Sequence, residues 1–142
     1  MDSIEILAPD PSWPEMFLQE KRLLLDCLAD QPVSDVYHFG STSIAGMPVK
    51  PIIDIIISVP SVEQARLKLP KPLEGIGYDF WHENPKTDRL FFVKGMPPKG
   101  SGRTHHIHVH DSADIIQEHL VFRDYLRENQ EDASKYAKFK KS

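Results

Sequence analysis

The chain carries an acid where an apolar residue would be expected. Asp54 lies in the segment 52–59 (IIDIIISV), which has the pattern of a buried strand. Because side chains alternate along a strand, Asp54 shares its face with Ile56, while the neighbouring isoleucines occupy the other face. A buried carboxylate is costly unless a metal, a cation or several donors satisfy it. Asp54 is therefore predicted to ligate a divalent cation or to act as a base for an attacking hydroxyl; the alternative is a structural carboxylate paired with a buried arginine or with backbone amides.

A turn of small residues precedes this strand. It consists of Gly40, Ser41, Thr42 and Ser43, and twelve residues separate Ser41 from Asp54. Backbone amides and hydroxyls presented at a helix N-terminus can hold a phosphate, so these four residues are predicted to bind one. The alternative is a plain strand-to-helix turn in which Ser41 or Ser43 caps the helix.

A second group of candidate ligands lies in the segment 105–110 (HHIHVH). In a strand, His106, His108 and His110 share one face, and His105 points the opposite way. Imidazoles two residues apart are spaced for joint metal ligation, and zinc, nickel or iron suits them better than magnesium. The alternatives are ordinary hydrogen bonding, general acid catalysis or adventitious metal capture. If this strand lies beside that of Asp54, His106 and His108 complete a catalytic metal site.

Basic residues accompany both groups. Lys50 lies between the small-residue turn and Asp54, and Arg103 precedes the histidine segment. Both are predicted to bind phosphate oxygens through charge-assisted hydrogen bonds. Arg89 is interpreted as a residue that flanks a strand, and His38 fits a core histidine as well as a site residue.

Hydrophobic periodicity predicts the elements that position these residues. A first amphipathic helix begins at a capping box at 12–15, and a second covers 61–69 until Pro70 and Pro72 stop it. Strands are predicted at 36–39, 52–59, 77–81, 90–94 and 103–110. One α/β (α+β) domain with a mixed β-sheet flanked by helices accounts for this order.

The last clear helix is predicted to start at Asp111 or Ser112. Its inner face is expected to contain four residues at helical spacing: Ile115, His119, Phe122 and Leu126. Arg123 and Arg127 are interpreted as part of a solvated charged face.

Composition predicts a single domain over residues 1–142, large enough to bury its own core. A net charge of −4 argues against nucleic-acid binding as the main activity. No apolar run reaches membrane-spanning length and the start lacks a signal-peptide pattern, so a cytoplasmic location is expected. A helical pattern begins at 133–141, close to Ser142.

Five ordered motifs resemble the GrpB family of bacterial proteins. They are DPSW at 10–13, GSTS at 40–43, KPIID at 50–54, RTHHIHV at 103–109 and HLVFRDYLR at 119–127. The Gly-Ser turn followed by an acid on an apolar strand is also similar to the core of the nucleotidyltransferase superfamily. The resemblance implies a nucleotidyltransferase-like fold. It also implies further residues after Ser142, so the C-terminus is interpreted as truncated or naturally short.

One position departs from the nucleotidyltransferase pattern. Those enzymes usually carry a second carboxylate two residues after the first, and here that position is Ile56. The departure removes a ligand from the usual two-metal arrangement, which stabilises both the attacking and the leaving oxygen.

The sequence therefore predicts a nucleotidyltransferase-like protein that binds a nucleoside triphosphate or a related phosphate compound. The expected cofactor is a divalent metal, with magnesium, manganese, zinc and nickel as candidates. Transfer of a nucleotidyl group to a hydroxyl acceptor is the first interpretation. A non-catalytic nucleotide- or phosphometabolite-binding module and a histidine-metal-dependent hydrolase are the alternatives.

Overall fold

A computed structural model of the protein describes residues 13–39, 52–96, 100 and 102–129. Within these residues the chain forms four α-helices and five β-strands. In chain order they are α1 (Trp13–Cys27), β1 (Asp35–Phe39), β2 (Ile53–Ser58), α2 (Val62–Lys68), α3 (Pro70–Glu74), β3 (Tyr78–Phe80), β4 (Arg89–Lys94), β5 (His105–His110) and α4 (Ala113–Glu128).

The strands form one mixed sheet in the order β1-β2-β5-β4-β3. The β2–β5 pair is parallel, and the other three neighbouring pairs are antiparallel. The predicted mixed sheet flanked by helices is confirmed. The strand of Asp54 is adjacent to the strand that carries the histidines, which fulfils the condition for a joint site.

The core lies on the sheet face that packs against α1, α2 and α3. Ile53, Ile55 and Ile57 of β2 lie beside Ile107 and Val109 of β5, and all five are at most 1% exposed. Burying one such side chain contributes roughly 1.5–3 kcal/mol. This strong preference for one face fixes the register, because a slip by one residue would turn the isoleucines outward and Asp54 into the core.

A proline begins a helix that the sequence did not predict. The second helix does end, at Lys68, but α3 follows at once with Pro70 in its first turn. Proline is tolerated there because the first helical N–H groups have no intrahelical partner. Leu73 of α3 is fully buried, and packing of this residue stabilises the extra turn.

The inner face of α4 differs from the predicted one. Ile116 and Leu126 are buried, whereas Phe122 is 48% exposed and His119 is exposed as well. Ile116 is one position after the predicted Ile115, and one residue rotates a helix face by about 100°. Leu126 was therefore assigned correctly, and the orientation of the rest of the face was wrong.

Arg123 belongs to the packed side of α4 rather than to a solvated face. Its side chain is 17% exposed, and its Nη1 donates a 2.9 Å hydrogen bond to the His38 carbonyl in β1. A strand-end carbonyl at the sheet edge needs a donor, and Arg123 satisfies this need. Ser112 caps α4, as predicted, by accepting a hydrogen bond from the Ile115 amide.

Candidate functional site

The parallel β2–β5 pair brings the predicted metal ligands together. His106 is the Cα partner of Asp54, and His108 is the partner of Ile56. Asp54, His106 and His108 all lie on the sheet face opposite the isoleucine core, since each alternates with a fully buried residue. The structure thus places these three residues, predicted from separate segments, side by side.

The spacing within this triad (Asp54, His106 and His108) is that of ligands to one ion. Asp54 Oδ1 lies 3.5 Å from His106 Nδ1 and 3.8 Å from His108 Nε2. One ligand atom from each residue lies within 4.8 Å of the others. Two ligand atoms that are each about 2.1 Å from a tetrahedral ion are about 3.4 Å apart. The two distances from Asp54 Oδ1 are close to this value and too long for strong hydrogen bonds.

The surroundings of Asp54 hold its side chain in the ionised form. Burial raises the pKa of Asp54, but the interactions with His106 and His108 outweigh burial and lower the pKa to about 2. A carboxylate with so low a pKa is a weak base at neutral pH. Of the two predicted roles, the electrostatics therefore favour metal ligation over proton abstraction.

Aromatic rings line the triad. The Phe91 ring lies 5.1 Å from the His106 ring and 4.9 Å from the His108 ring, and Phe39 lies 5.2 Å from His108. Apolar walls of this kind lower the local dielectric and strengthen electrostatic interactions. The side chains of the triad remain 15–32% exposed, so solvent reaches the site.

The donor set of the triad fits a transition metal. The two imidazoles suit zinc, nickel or iron, and the carboxylate also suits manganese, whereas magnesium prefers a set made only of oxygen ligands. In the part of the chain that the structure describes, the buried His106 Nε2 has no hydrogen-bond partner. Histidine ligands usually donate their second N–H to a carbonyl or carboxylate. The fit to a metal ion thus rests on the three candidate ligand atoms. Among the described residues, no hydrogen bond to the second ring nitrogen of His106 orients its imidazole.

Ile56 occupies the position at which nucleotidyltransferases usually carry their second carboxylate. Ile56 is fully buried, and its Cα partner on the next strand is His108. In the same row of the sheet, the His108 imidazole of β5 thus lies beside the position where a second carboxylate would ordinarily follow Asp54 by two residues. An isoleucine at this position packs instead of binding an ion.

The other histidines of β5 do not join the triad. His105 points to the helix side, where its Nε2 lies 3.8 Å from Glu20 Oε1. His110 is 2% exposed, and burial together with the charge of Arg89 lowers its pKa to about 4. His105 thus has the predicted orientation, and His110 is held neutral at one end of the strand.

His38 is a core residue. It is 6% exposed, and its ring stacks on Phe17 of α1 at a centroid distance of 4.6 Å. Burial, followed by the charge of Arg127, lowers the pKa of His38 to about 4. Of its two predicted interpretations, the structure supports the core histidine.

The predicted phosphate-binding residues are only partly described. Gly40, Ser41, Thr42, Ser43 and Lys50 lie outside the described residues.

Arg103 and Arg89, the two arginines near the predicted motifs, lie within the described residues. Arg103 lines a cavity beside Phe91. Arg89 begins β4, as its interpretation as a flanking residue implies, and bonds to its neighbour Asp88 at 2.9 and 3.1 Å.

Two adjoining cavities extend the site toward β3 and β4. One has a volume of about 520 Å³ and the other about 360 Å³, and Trp81 and Phe91 line both. His108 lines the smaller one. Trp81 and Phe91 were not predicted as site residues. The available signal was the alternation in 90–94, which places Phe91 on the face opposite Leu90.

Comparison with known proteins identifies the family. The GrpB protein family model matches residues 3–142. The chain belongs to the GrpB family. It is 48% identical over 139 residues to the UPF0157 protein PA4798 of Pseudomonas aeruginosa, an alignment that covers 98% of this chain and 56% of that protein. The chain thus spans about half the length of this curated relative.

Solved structures support the same assignment and extend it to the fold. The crystal structure of the conserved protein GrpB from Enterococcus faecalis matches with a TM-score of 0.85 and 37% identity, covering 96% of this chain and 81% of that one. Cid1, in complex with the UTP analog UMPNPP, matches with a TM-score of 0.56 and 16% identity, covering 87% of this chain and 37% of Cid1. The Cid1 match shows a nucleotidyltransferase-like fold.

Among the described residues, no helix is both long and apolar enough to cross a bilayer.

Proposed function

We propose that this GrpB-family chain binds a divalent metal through Asp54, His106 and His108 and, at that metal, a nucleoside triphosphate or a related phosphate compound. The observation that carries the proposal is the convergence of one ligand atom from each residue within 4.8 Å. Zinc and nickel suit the two imidazoles better than magnesium, and manganese suits the carboxylate. A bound ion supplies positive charge that offsets the charge of phosphate oxygens.

Phosphate binding is assigned to the small-residue segment 40–43, with Lys50 and Arg103 as cations. This segment follows Phe39 directly in sequence, and Phe39 is the Cα partner of Asp54. The amides and hydroxyls of residues 40–43 are therefore next in sequence to Phe39, whose strand partner is the proposed metal ligand Asp54. The likeness to Cid1, which was solved with a UTP analog, supports a nucleotide as the ligand.

Nucleotidyl transfer is the finer form of the proposal. In such a transfer an acceptor oxygen bonds to the α-phosphorus, pyrophosphate leaves with the electrons of the broken P–O bond, and the acceptor proton passes to a base. Asp54 is a poor base, because its pKa is lowered to about 2. Ile56 also stands where a second acid would help to hold two metals. Binding is therefore proposed ahead of turnover.

A histidine-metal hydrolase is the second candidate, and the ligand count favours it. Catalytic zinc sites commonly use three protein ligands and leave one position for water. The triad provides three ligands, and its partial exposure allows water to enter. The same donor set also fits a binding module without turnover.

Thermal unfolding with added triphosphate tests the binding step. ATP with manganese is expected to raise the melting temperature, since a ligand present at 100 times its Kd stabilises the folded state by about 2.7 kcal/mol. Ser41→Ala combined with Lys50→Ala should abolish the rise. The matched control is Ser34→Ala combined with Lys68→Ala, two exposed positions away from the site.

Product analysis then separates the candidates. Pyrophosphate released only with a hydroxyl acceptor, and lost in Asp54→Ala, would establish nucleotidyl transfer. Acceptor-independent loss of phosphate groups would favour the hydrolase, and binding without any product would favour the module. The absence of a thermal shift with every nucleotide and metal would refute the proposal.

A further inference from the structure

The larger cavity adjoins the triad and has the chemistry of a small-molecule site. Its volume of about 520 Å³ lies within the roughly 300–1,000 Å³ that is typical of ligand pockets. Trp81, Phe91 and Val93 provide apolar walls, and Asp79 and Arg103 provide an acceptor and a donor. Mostly apolar walls with a few polar groups are suited to a flat ring that carries polar edge atoms.

The strand register connects this cavity to the metal ligands. Phe91 is the Cα partner of His108, and Val93 is the partner of His106. Trp81 follows β3 directly and donates its amide N–H to the Phe91 carbonyl at 3.0 Å. From β5 to β3 is two strand spacings, about 10 Å. The sugar and phosphates of one nucleotide can span such a distance.

Trp81 and Phe91 form an aromatic corner. Their rings meet edge to face at a centroid distance of 6.2 Å and an interplanar angle of 80°. Trp81 remains 48% exposed. A single exposed tryptophan carries little information, but here it lines two cavities, and the ring beside it contacts both histidines of the triad.

Charge also distinguishes this region from the rest of the surface. The chain has a net charge of −4, whereas the cavity lining holds one cation, Arg103, and one anion, Asp79, so the formal charge of the cavity is balanced. An arginine beside an aromatic wall matches a ligand that joins a flat ring to a phosphate group. The Asp79 carboxylate can accept hydrogen bonds only from N–H or O–H groups on the ring or sugar.

We propose that the cavity lined by Trp81, Phe91, Val93, Asp79 and Arg103 binds the base of the nucleotide, with purines preferred over pyrimidines. This proposal rests on the proposed function, and it specifies the substrate class of the same site. The preference follows from stacking, because a purine covers more of an indole ring than a pyrimidine does. One stacked base contributes on the order of 10-fold to 100-fold in affinity.

Calorimetry with manganese and four probes tests the proposal: ATP, CTP, inorganic tripolyphosphate and adenosine. ATP is expected to bind at least about 10-fold more tightly than tripolyphosphate and more tightly than CTP. Trp81→Ala should weaken ATP and adenosine by on the order of 10-fold and leave tripolyphosphate unchanged, whereas Trp81→Phe should retain most of the ATP affinity. Leu67→Ala, at a 79% exposed apolar residue in α2, is the matched control and should change nothing.

The outcomes separate this proposal from the proposed function. If tripolyphosphate binds as tightly as ATP and Trp81→Ala has no effect on either, the base site is refuted and the metal-phosphate site stands. If adenosine binds and depends on Trp81 while tripolyphosphate does not bind, the base site stands and the phosphate function is refuted. If no probe binds, both proposals are refuted.

Discussion

A buried glutamate behind the histidine strand provides a quantitative test of how the site is supported. Glu20 of α1 is 7% exposed. Its Oε2 accepts hydrogen bonds from Tyr78 Oη at 2.7 Å and from Lys94 Nζ at 2.8 Å. Oε1 lies 3.8 Å from His105 Nε2. One carboxylate thus joins α1 to β3, β4 and β5, and β5 is the strand that carries the two histidines of the triad.

The expected cost of Glu20→Gln follows from these contacts. Hydrogen bonds to charged groups contribute roughly 1.5–3 kcal/mol each. Glutamine keeps one acceptor oxygen but loses the negative charge. Its amide N–H also faces Tyr78 Oη or Lys94 Nζ, and since each of these is a donor, one hydrogen bond is lost. We expect the free energy of unfolding to fall by about 2–3 kcal/mol, and the melting temperature to fall by about 10 °C for a domain of this size.

The pH dependence of this effect has a defined sign. Burial raises the pKa of Glu20, but hydrogen bonds from Lys94 and Tyr78 and the charge of His105 outweigh burial and leave the pKa below its ordinary value. Because the folded-state pKa is lower than the unfolded one, the contribution to stability is complete above about pH 5 and is lost as the pH falls. The difference between wild type and Glu20→Gln should therefore shrink below about pH 4.

Urea unfolding from pH 3.5 to 7.5 measures both quantities. Glu118→Gln is the matched control, because it makes the same change at an exposed position in the interior of a helix, α4, and should cost less than about 0.5 kcal/mol. If Glu20→Gln costs no more than Glu118→Gln at pH 7, or if its cost grows as the pH falls, the role assigned to Glu20 is wrong.

Two further predictions concern groups around the sheet. Burial lowers the pKa of both His38 and His110 to about 4. Both imidazoles should therefore be neutral in the folded protein, and their contribution to stability should decline from about pH 6.5 toward pH 4. NMR titration of the two imidazoles checks this, and a midpoint near 6.5 for both would contradict it. Arg123→Ala removes the hydrogen bond to the His38 carbonyl of β1 and should lower the free energy of unfolding in urea by about 1–2 kcal/mol. The control Arg22→Ala, at an exposed position, should be nearly neutral. Equal costs would show that the Arg123 hydrogen bond does not stabilise the packing of α4.

Local pattern was sufficient to predict most of the strands and the sheet face on which each residue of the triad lies. The isoleucines of β2 are β-branched and apolar, and alternation with period two separates Asp54 from the core. The same period places His106 and His108 together and sends His105 to the opposite face. These assignments depend only on the geometry of a strand, and the structure agrees with them.

Other features depend on contacts between distant parts of the chain. The pairing of β4 with β5 places Phe91 beside His108, and a register between strands is not visible in either segment alone. The face that α4 buries is set by docking against β1, β2 and β5, which selected Ile116 over Ile115. Pro70 could end one helix or begin the next, and the packing of Leu73 decided between them.

Metal titration of demetallated protein by calorimetry tests the central claim most directly. We expect about one zinc or manganese ion per chain, bound through Asp54, His106 and His108. Asp54→Asn and His108→Ala should each weaken binding by at least roughly 10-fold, and His82→Ala, at an exposed histidine outside the triad, should leave it unchanged. No binding of zinc, manganese, nickel or magnesium, or binding that survives Asp54→Asn intact, would contradict the assignment of this site.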